Sequence, residues 1–150
     1  HAGDGRRHKE MSGKSEERGG RMEDSGNYKR ELGRLGEDLA CRHLESLGHR
    51  ILARNWRSGH LEIDIISIAE DGIHFVEVKT RRKNIQAAPQ DNVGHRKQSR
   101  ITKAALAFLN SRQGIPYGSH ECSFDVMAVT FEGEKAKMEW IPQAYIPIYL

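Results

Sequence analysis

The chain has 150 residues and a formal net charge of +3, a length that suits one domain with a tail and excludes a two-domain enzyme. It contains no apolar run long enough for a membrane-spanning helix, and its first ten residues lack the apolar centre of a secretory signal. Its two cysteines, Cys41 and Cys122, match no metal-ligand spacing, which argues against a structural zinc site and a secreted disulfide scaffold and favours a cytoplasmic location.

The first 30 residues differ in composition from the rest of the chain. They contain eight lysines and arginines, six acidic residues and six glycines, but no Leu, Ile, Val or Phe. Such a segment buries too little apolar surface to offset the entropy that is lost on ordering. We therefore predict a flexible charged tail over residues 1–30 and one folded domain over residues 31–150.

The predicted domain begins with a helix over residues 31–48. On a helical wheel its leucines and Ala40 share one half, and Gly48 fits a C-terminal stop. Glu37 lies at the edge of the apolar half, so its carboxylate can follow the surface that the helix covers. His43 also points to the apolar half and is predicted to be a packing residue.

Five strand-like runs and a second helix follow. β-branched and aromatic residues dominate the central runs, and the sequence Glu-Asp-Gly at 70–72 is typical of a hairpin turn. The second helix is predicted over residues 95–112, after a loop over 84–94. The order α-β-β-β-α-β-β predicts an α/β fold with a central mixed sheet (α+β) that is flanked by helices. The predicted strands cover residues 51–56, 61–69, 73–79, 123–131 and 138–141.

Two acidic residues interrupt strands that otherwise have the composition of a core. Alternation places Asp64 on the face of its strand opposite to Ile63 and Ile65, and it places Glu77 and Lys79 together on the next strand. The short hairpin loop sets Asp64 opposite a position between Glu77 and Lys79, so the two carboxylates are predicted to be neighbours. Like charges this close require compensation, which Lys79 and a divalent cation, Mg²⁺ or Mn²⁺, would supply. The alternative is a sheet with one wet face, where these charges are simply solvated.

The positive charge of the domain is concentrated in residues 81–103. This segment carries seven lysines and arginines against one acidic residue, whereas the remainder of residues 31–150 has a net charge of −5. Such a segment indicates contacts to nucleic-acid phosphates, with a solvated surface as the alternative. The candidate phosphate contacts are Arg81, Arg82, Arg96, Arg100 and Lys103.

Three short segments carry a recognisable pattern. They are GRLGEDLA at 33–40, LEIDII at 61–66 and FVEVKTR at 75–81. In this order they resemble the YraN-like uncharacterised protein family (UPF0102), which belongs with the PD-(D/E)XK nuclease-like superfamily, close to archaeal Holliday-junction resolvases. The resemblance implies a restriction-endonuclease-like core. Ile63 stands where the superfamily's name has proline, and Leu61 stands where the family usually has glycine.

The resemblance also implies a catalytic set. Asp64 matches the aspartate of the superfamily motif, Glu77 its acidic partner and Lys79 its lysine. In such nucleases the two acids bind one Mg²⁺ together with the backbone carbonyl that corresponds to Val78, and the lysine orients or deprotonates the attacking water. Glu37 resembles an acidic residue of the first helix that serves a second metal or its water shell.

Further residues are implied by the same resemblance. Lys97 and Gln98 resemble polar residues that the superfamily places beside the site from the next helix. Asp125 resembles an aspartate of a later strand, for which we expect a structural rather than a metal-binding role.

The leading hypothesis is a metal-dependent endonuclease or nucleic-acid-processing protein that hydrolyses phosphodiesters in structured DNA. The alternative is an accessory module that keeps the fold and binds nucleic acid without cleaving it, and a third hypothesis is a small scaffold with ordinary surface charges. No membrane partner is expected. The apolar segment 141–150 either covers the sheet or pairs two subunits in a homodimer.

Overall fold

A computed structural model describes residues 21–83 and 94–145 of the chain. The predicted α+β class and the order α-β-β-β-α-β-β are confirmed. In this part of the chain, none of the helices is long and apolar enough to cross a membrane. Apart from Gly94, the predicted loop over 84–94 lies outside the described residues. The elements are α1 (Arg21–Ser46), β1 (Arg50–Ser58), β2 (Leu61–Ala69), β3 (Gly72–Arg82), α2 (His95–Asn110), a 3₁₀ helix (Ile115–Tyr117), β4 (Cys122–Glu132) and β5 (Lys135–Ile141).

Helix α1 begins at Arg21, earlier than the predicted start at residue 31. Residues 21–30 have no apolar stripe, so a helical period cannot be detected there in the sequence, and elongation of an existing helix needs no new nucleus. The division into a tail and a domain stays a prediction, because residues 1–20 lie outside the described residues. The chain divides into two compact units, and the boundary between them follows Arg34, so that the sheet and α2 belong to the unit Leu35–Leu150.

The second half of α1 packs on one face of the sheet. An added Cβ at Gly36 would overlap the hydroxyl of Thr80 on β3, so glycine allows the helix to approach this closely. The predicted stop is confirmed, because Gly48 follows the helix in a left-handed conformation with a φ of +94°. His43, predicted to be a packing residue, is half-buried. The buried residues of this half are Gly36, Ala40, Cys41 and Leu44.

The described strands form one five-stranded sheet in the order β1-β2-β3-β4-β5. Neighbouring strands are antiparallel except for β3 and β4, which run parallel and are connected through α2. The predicted hairpin between β2 and β3 is confirmed, with Ala69 opposite Gly72 across a two-residue turn. Gly72 has a φ of +133°, and a side chain there would collide with the backbone carbonyl of Glu121.

The two faces of the sheet pack against different helices. On the α1 side, Ala40 and Leu44 meet Ile65, Val76 and Met127. On the α2 side the helix contributes its own apolar face, and the sheet contributes mainly isoleucine and phenylalanine. Residues 146–150 of the C-terminal segment lie outside the described residues, and the pairing of two subunits stays a prediction. The described apolar side chains of this segment cover the α2-side core. The covering residues are Ile141, Ala144 and Tyr145.

His74 on β3 and Asp125 on β4 form the centre of a buried polar network. Asp125 is 0% exposed, and its Oδ2 lies 2.6 Å from Nδ1 of His74. On the other side of the imidazole, Nε2 lies 2.8 Å from Oδ1 of Asp71. These contacts agree with the structural role expected for Asp125. The carboxylate of Asp125 also accepts hydrogen bonds from the hydroxyl of Ser123, the indole of Trp140 and the backbone amide of Gln143.

The pKa values of His74 and of the neighbouring His49 are shifted in opposite directions. Burial alone would lower the pKa of His74, but the hydrogen bonds to Asp125 and Asp71 outweigh burial and raise it. The ring of His49 lies 4.5 Å from that of His74, and burial, followed by repulsion from His74, lowers the pKa of His49. The network therefore favours a charged His74 beside a neutral His49.

Candidate metal and nucleic-acid site

Strands β2 and β3 separate at the point where the two candidate acids lie. Their ladder ends with Ile65 opposite Val76. Beyond this pair, β2 continues along β1 while β3 continues along β4. Asp64 and Glu77 are therefore the first residues inside a fork of the sheet.

The carboxylate of Asp64 spans this fork. Its Oδ2 accepts a hydrogen bond of 2.9 Å from the backbone amide of Val78. This contact confirms that Asp64 lies beside the predicted stretch of β3. Because β2 and β3 have separated, the β2 backbone no longer reaches the amide of Val78, and the side chain of Asp64 accepts its hydrogen bond instead.

The predicted faces of β2 are wrong around Asp64. Alternation placed Ile63 and Ile65 on one face, but Ile63 packs on the α2 side and Ile65 on the α1 side. The sequence could not show this interruption, because isoleucine fits either side of a sheet that is covered on both faces. On β3 the predicted alternation is confirmed, since Phe75 packs on the α2 side and Val76 on the α1 side.

The carboxylates of the two acids repel each other. Burial of Asp64, followed by repulsion from Glu77, raises the pKa of Asp64 to about 7, although the amide of Val78 lowers it. The two side chains are near neighbours across the fork. The side chain of Glu77 is only 11% exposed. Such a pair is unfavourable when both groups are ionised unless a positive charge lies beside it.

Helix α2 supplies positive charge to this pair. Lys97 forms an ion pair with Glu77, and Arg100 follows about one turn later. Both basic residues line a cleft of about 250 Å³ together with the two acids. The arrangement places cationic groups on one wall of a cleft and carboxylates on another. The lining consists of His60, Leu61, Glu62, Asp64, Glu77, Lys97, Arg100 and Ile101.

Glu37 on α1 is the third candidate acid. After burial and Glu77, its charge is a further cause of the raised pKa of Asp64. Its Oε1 accepts a hydrogen bond of 2.9 Å from the side-chain amide of Asn55 and lies 3.8 Å from Nη2 of Arg54. The structure thus brings the three predicted acids to one region.

Lys79 and the remaining basic candidates lie around this region. Lys79 is half-buried on β3, two residues after Glu77, and in the described part of the chain it is not among the residues that line the cleft. Arg81 and Arg82 are half-buried at the end of β3. On α2 the side chain of Gln98 is half-buried, and four basic side chains are exposed. These are Arg96, Lys97, Arg100 and Lys103.

The residues present fit a divalent cation as an incomplete set of oxygen ligands. Within residues 21–83 and 94–145, no group of three or more acidic, histidine or cysteine side chains is tight enough to form a finished metal site. Mg²⁺, however, usually binds one or two carboxylates and keeps several waters. The buried hydroxyl of Tyr145 has no hydrogen-bond partner among the described residues, and burial, followed by the charge of Glu77, raises its pKa. Water on a cation held by Asp64 and Glu77 would satisfy such a hydroxyl.

Comparison with known sequences places the chain in a family. A family model described as "Uncharacterised protein family UPF0102" matches residues 36–129. A UPF0102 protein of Nitratidesulfovibrio vulgaris is 42% identical over 113 residues, which cover 75% of this chain and 82% of that protein. The chain belongs to the UPF0102 family. A second UPF0102 protein, from Syntrophomonas wolfei, is 40% identical over 116 residues, covering 77% of this chain and 98% of its own length.

The UPF0102 match confirms the family resemblance drawn from the three sequence segments. It contains Glu37, Asp64, Glu77 and Lys79 together with the whole of α2. A UPF0102 protein of Flavobacterium johnsoniae is 38% identical over 115 residues, covering 77% of this chain and 94% of that protein. The names of these relatives state the family and no activity.

Three residues at the candidate site were not predicted from the sequence. His60 lies between β1 and β2 and lines the cleft, Asn55 contacts Glu37, and Tyr145 places a buried hydroxyl near Glu77. His60 and Tyr145 lie outside the three recognised segments and have no local pattern. Asn55 offered one signal, because asparagine within a strand-like run favours an irregular backbone.

Proposed function

We propose that the protein is a metal-dependent endonuclease that hydrolyses phosphodiesters in structured DNA, with branched DNA as the substrate class. The observation that carries the proposal is the pair of buried carboxylates, Asp64 and Glu77, inside the fork, with Lys97 in an ion pair with Glu77. A carboxylate whose pKa is strongly shifted by burial and by a like charge, and which lines a cleft, favours a functional site. The restriction-endonuclease-like resemblance of the same residues points to nuclease chemistry.

Each residue of the site has a role in this proposal. Mg²⁺ or Mn²⁺ would be held by Asp64, Glu77 and the backbone carbonyl of Val78, where it would act as a Lewis acid and lower the pKa of a bound water. Lys79 lies two residues after Glu77 on β3, and the resemblance gives it the role of orienting the attacking water and stabilising the negative charge that develops on the phosphate. Lys97 exchanges its contact with Glu77 for a contact with the phosphate.

The remaining contacts hold the DNA without reading its sequence. Arg96, Arg100 and Lys103 project from α2, and Arg81 and Arg82 lie at the end of β3. Guanidinium and ammonium groups bind phosphate oxygens of any sequence, so they fix position and orientation. We also propose that the protein acts in the cytoplasm, as a homodimer that cuts two strands.

Charge reversal on α2 tests the phosphate contacts. We expect the double variant Arg96→Glu with Lys103→Glu to bind all DNA sequences more weakly and to lower the slope of log affinity against log salt by about 2, near 0.9 for each phosphate contact. Both side chains are exposed and neither lines the cleft, so the acids stay in place. The measurement is fluorescence anisotropy with labelled duplexes over a salt series.

The matched control for this experiment is Lys135→Glu with Lys137→Glu on β5. It makes the same change in net charge at two exposed lysines on the edge strand far along the sheet order from β2. We expect the control to change the slope much less than the α2 variant. Equal slopes in the two variants would contradict a DNA-binding face on α2.

A second candidate function is a non-cleaving accessory module on the same fold. It is favoured by the lack of a finished group of three metal ligands among the described residues. The deciding experiment incubates the protein with labelled linear and branched DNA over a range of Mg²⁺ and Mn²⁺ concentrations. Metal-dependent strand cleavage supports the endonuclease, and DNA binding without cleavage at any metal concentration supports the accessory module. Absence of both binding and cleavage contradicts both candidates.

A further inference from the structure

Asn55 has an unusual backbone conformation for a residue inside a strand. Its φ is +49°, and in the described part of the chain Gln143 is the one other non-glycine residue with a positive φ. Asparagine enters the left-handed region more readily than most residues, but at a cost relative to extended backbone. Residues in such conformations cluster at functional sites, where the surrounding structure imposes them.

The conformation of Asn55 divides its neighbours between the two faces of the sheet. In a regular strand Arg54 and Trp56 would point to the same side. Instead, Arg54 contacts Asp38 on α1, whereas the ring of Trp56 packs edge-on against Phe108 of α2.

The same interruption occurs on β2 at Asp64. In the β1–β2 ladder, Arg54 pairs with Ile65 and Trp56 pairs with Ile63. Asn55 and Asp64 thus occupy facing positions between these pairs, and both strands change faces there. The irregularity of β1 therefore lies directly beside the acid pair in the fork.

Asn55 uses this position to contact the third acid. Its side-chain amide donates a hydrogen bond of 2.9 Å to Oε1 of Glu37. Arg54 approaches the same oxygen and forms its shorter ion pair, 2.7 Å, with Asp38. A carboxylate has about four lone-pair positions on two oxygens, so Glu37 can accept this amide and still accept a metal-bound water.

We propose that Asn55 is a positioning residue that holds the carboxylate of Glu37 beside Asp64, so that Glu37 contributes to the water shell of the divalent cation. The inference rests on the proposed metal-dependent function and extends it to a residue of β1. Partners of this kind, which orient a ligand or its water, typically change metal affinity or activity 10- to 100-fold when they are removed.

The test is a double-mutant cycle on Mn²⁺ affinity, measured by electron paramagnetic resonance without DNA. Asn55→Gly removes the amide and keeps a residue that tolerates a positive φ, so the backbone remains compatible with the fold. We expect it to weaken Mn²⁺ binding by about 10-fold or more in the wild-type background. In the Glu37→Gln background the same substitution should have little further effect, because Asn55 acts through Glu37.

The outcomes separate this inference from the proposed function. Equal Mn²⁺ affinity in wild type and Asn55→Gly overturns the positioning role while leaving the metal site in place. An equal loss in both backgrounds also overturns it, since that result indicates a general structural effect. If the wild-type protein does not bind Mn²⁺ at all, the proposed function fails and the inference fails with it. Urea unfolding of each variant confirms that the compared proteins are folded.

Discussion

Replacing Asp125 by asparagine is expected to lower the free energy of unfolding by about 3–5 kcal/mol, the usual effect of removing one partner from a buried charge pair. His74 would keep its burial and lose the carboxylate that lies 2.6 Å from Nδ1. The amide of asparagine also offers one accepting oxygen where the carboxylate now serves several donors. These donors are His74, Ser123, Trp140 and the backbone amide of Gln143.

The matched control is Asp71→Asn, which removes the other carboxylate that contacts His74. The side chain of Asp71 is 69% exposed, so we expect a loss of about 1 kcal/mol or less. Urea denaturation followed by circular dichroism gives both values. Similar losses in the two variants would contradict the view that the buried member of the network dominates its stability.

The same network predicts a pH dependence. Because the pKa of His74 is raised in the folded chain, the stability from its charged form is fully present below its ordinary value of 6.5 and is lost as pH rises through the folded-state value. Asp71 has a lowered pKa, so its contribution is lost only as pH falls below its ordinary range. His49, with a lowered pKa, opposes His74, since its protonation at falling pH destabilises the fold.

The pH measurement compares wild type with Asp125→Asn. The difference between their free energies of unfolding should shrink from about pH 6 to about pH 9, because His74 becomes neutral in both proteins. A constant difference over this range would show that His74 carries no charge in the folded protein.

Glu77→Gln is expected to lower metal-dependent DNA cleavage by more than about a hundredfold, since removal of a partner that only orients a ligand already costs 10- to 100-fold. Glutamine has nearly the same shape but lacks the charge that would hold the cation. The substitution also ends the repulsion between Glu77 and Asp64, so the free energy of unfolding should stay the same or rise. Cleavage rates at saturating Mg²⁺, together with urea unfolding, separate the two effects.

The control for Glu77 is Glu62→Gln. Glu62 lines the same cleft and lies 3.7 Å from a guanidinium nitrogen of Arg57, outside the acid pair. We expect it to retain cleavage within a few-fold of wild type. If Glu77→Gln cleaves as well as Glu62→Gln, the catalytic assignment of Glu77 is wrong.

Much of the fold could be predicted because its elements carry strong periodic signals. β2 was predicted at Leu61–Ala69, as observed, and α2 begins at His95 as predicted. The start of α1 was missed because residues 21–30 lack an apolar stripe, and without such a stripe a helical period cannot be detected in the sequence. The network around His74 was missed as well, since Asp125 lies 51 residues away in sequence and only the parallel pairing of β3 with β4 brings them together.

Part of the candidate site could likewise be predicted from the sequence, and part could not. The neighbourhood of Asp64 and Glu77 was predicted because a short hairpin fixes register. The fork was not predicted, because it arises where β2 and β3 pair with different strands. The sequences of β2 and β3 contain no signal for this change of partner. The contact of Lys97 with Glu77 depends on the placement of α2, and the contact of Asn55 with Glu37 depends on an irregular backbone.

The most direct test of the account is Mn²⁺ binding by the wild-type protein and by Asp64→Asn, measured by electron paramagnetic resonance in the absence of DNA. The central claim is that Asp64 and Glu77 hold one divalent cation in the fork of the sheet. If this claim holds, Mn²⁺ binds the wild type saturably, and Asp64→Asn weakens the binding by more than about a hundredfold with the fold intact. Equal binding by the two proteins, or no binding by the wild type, would contradict it.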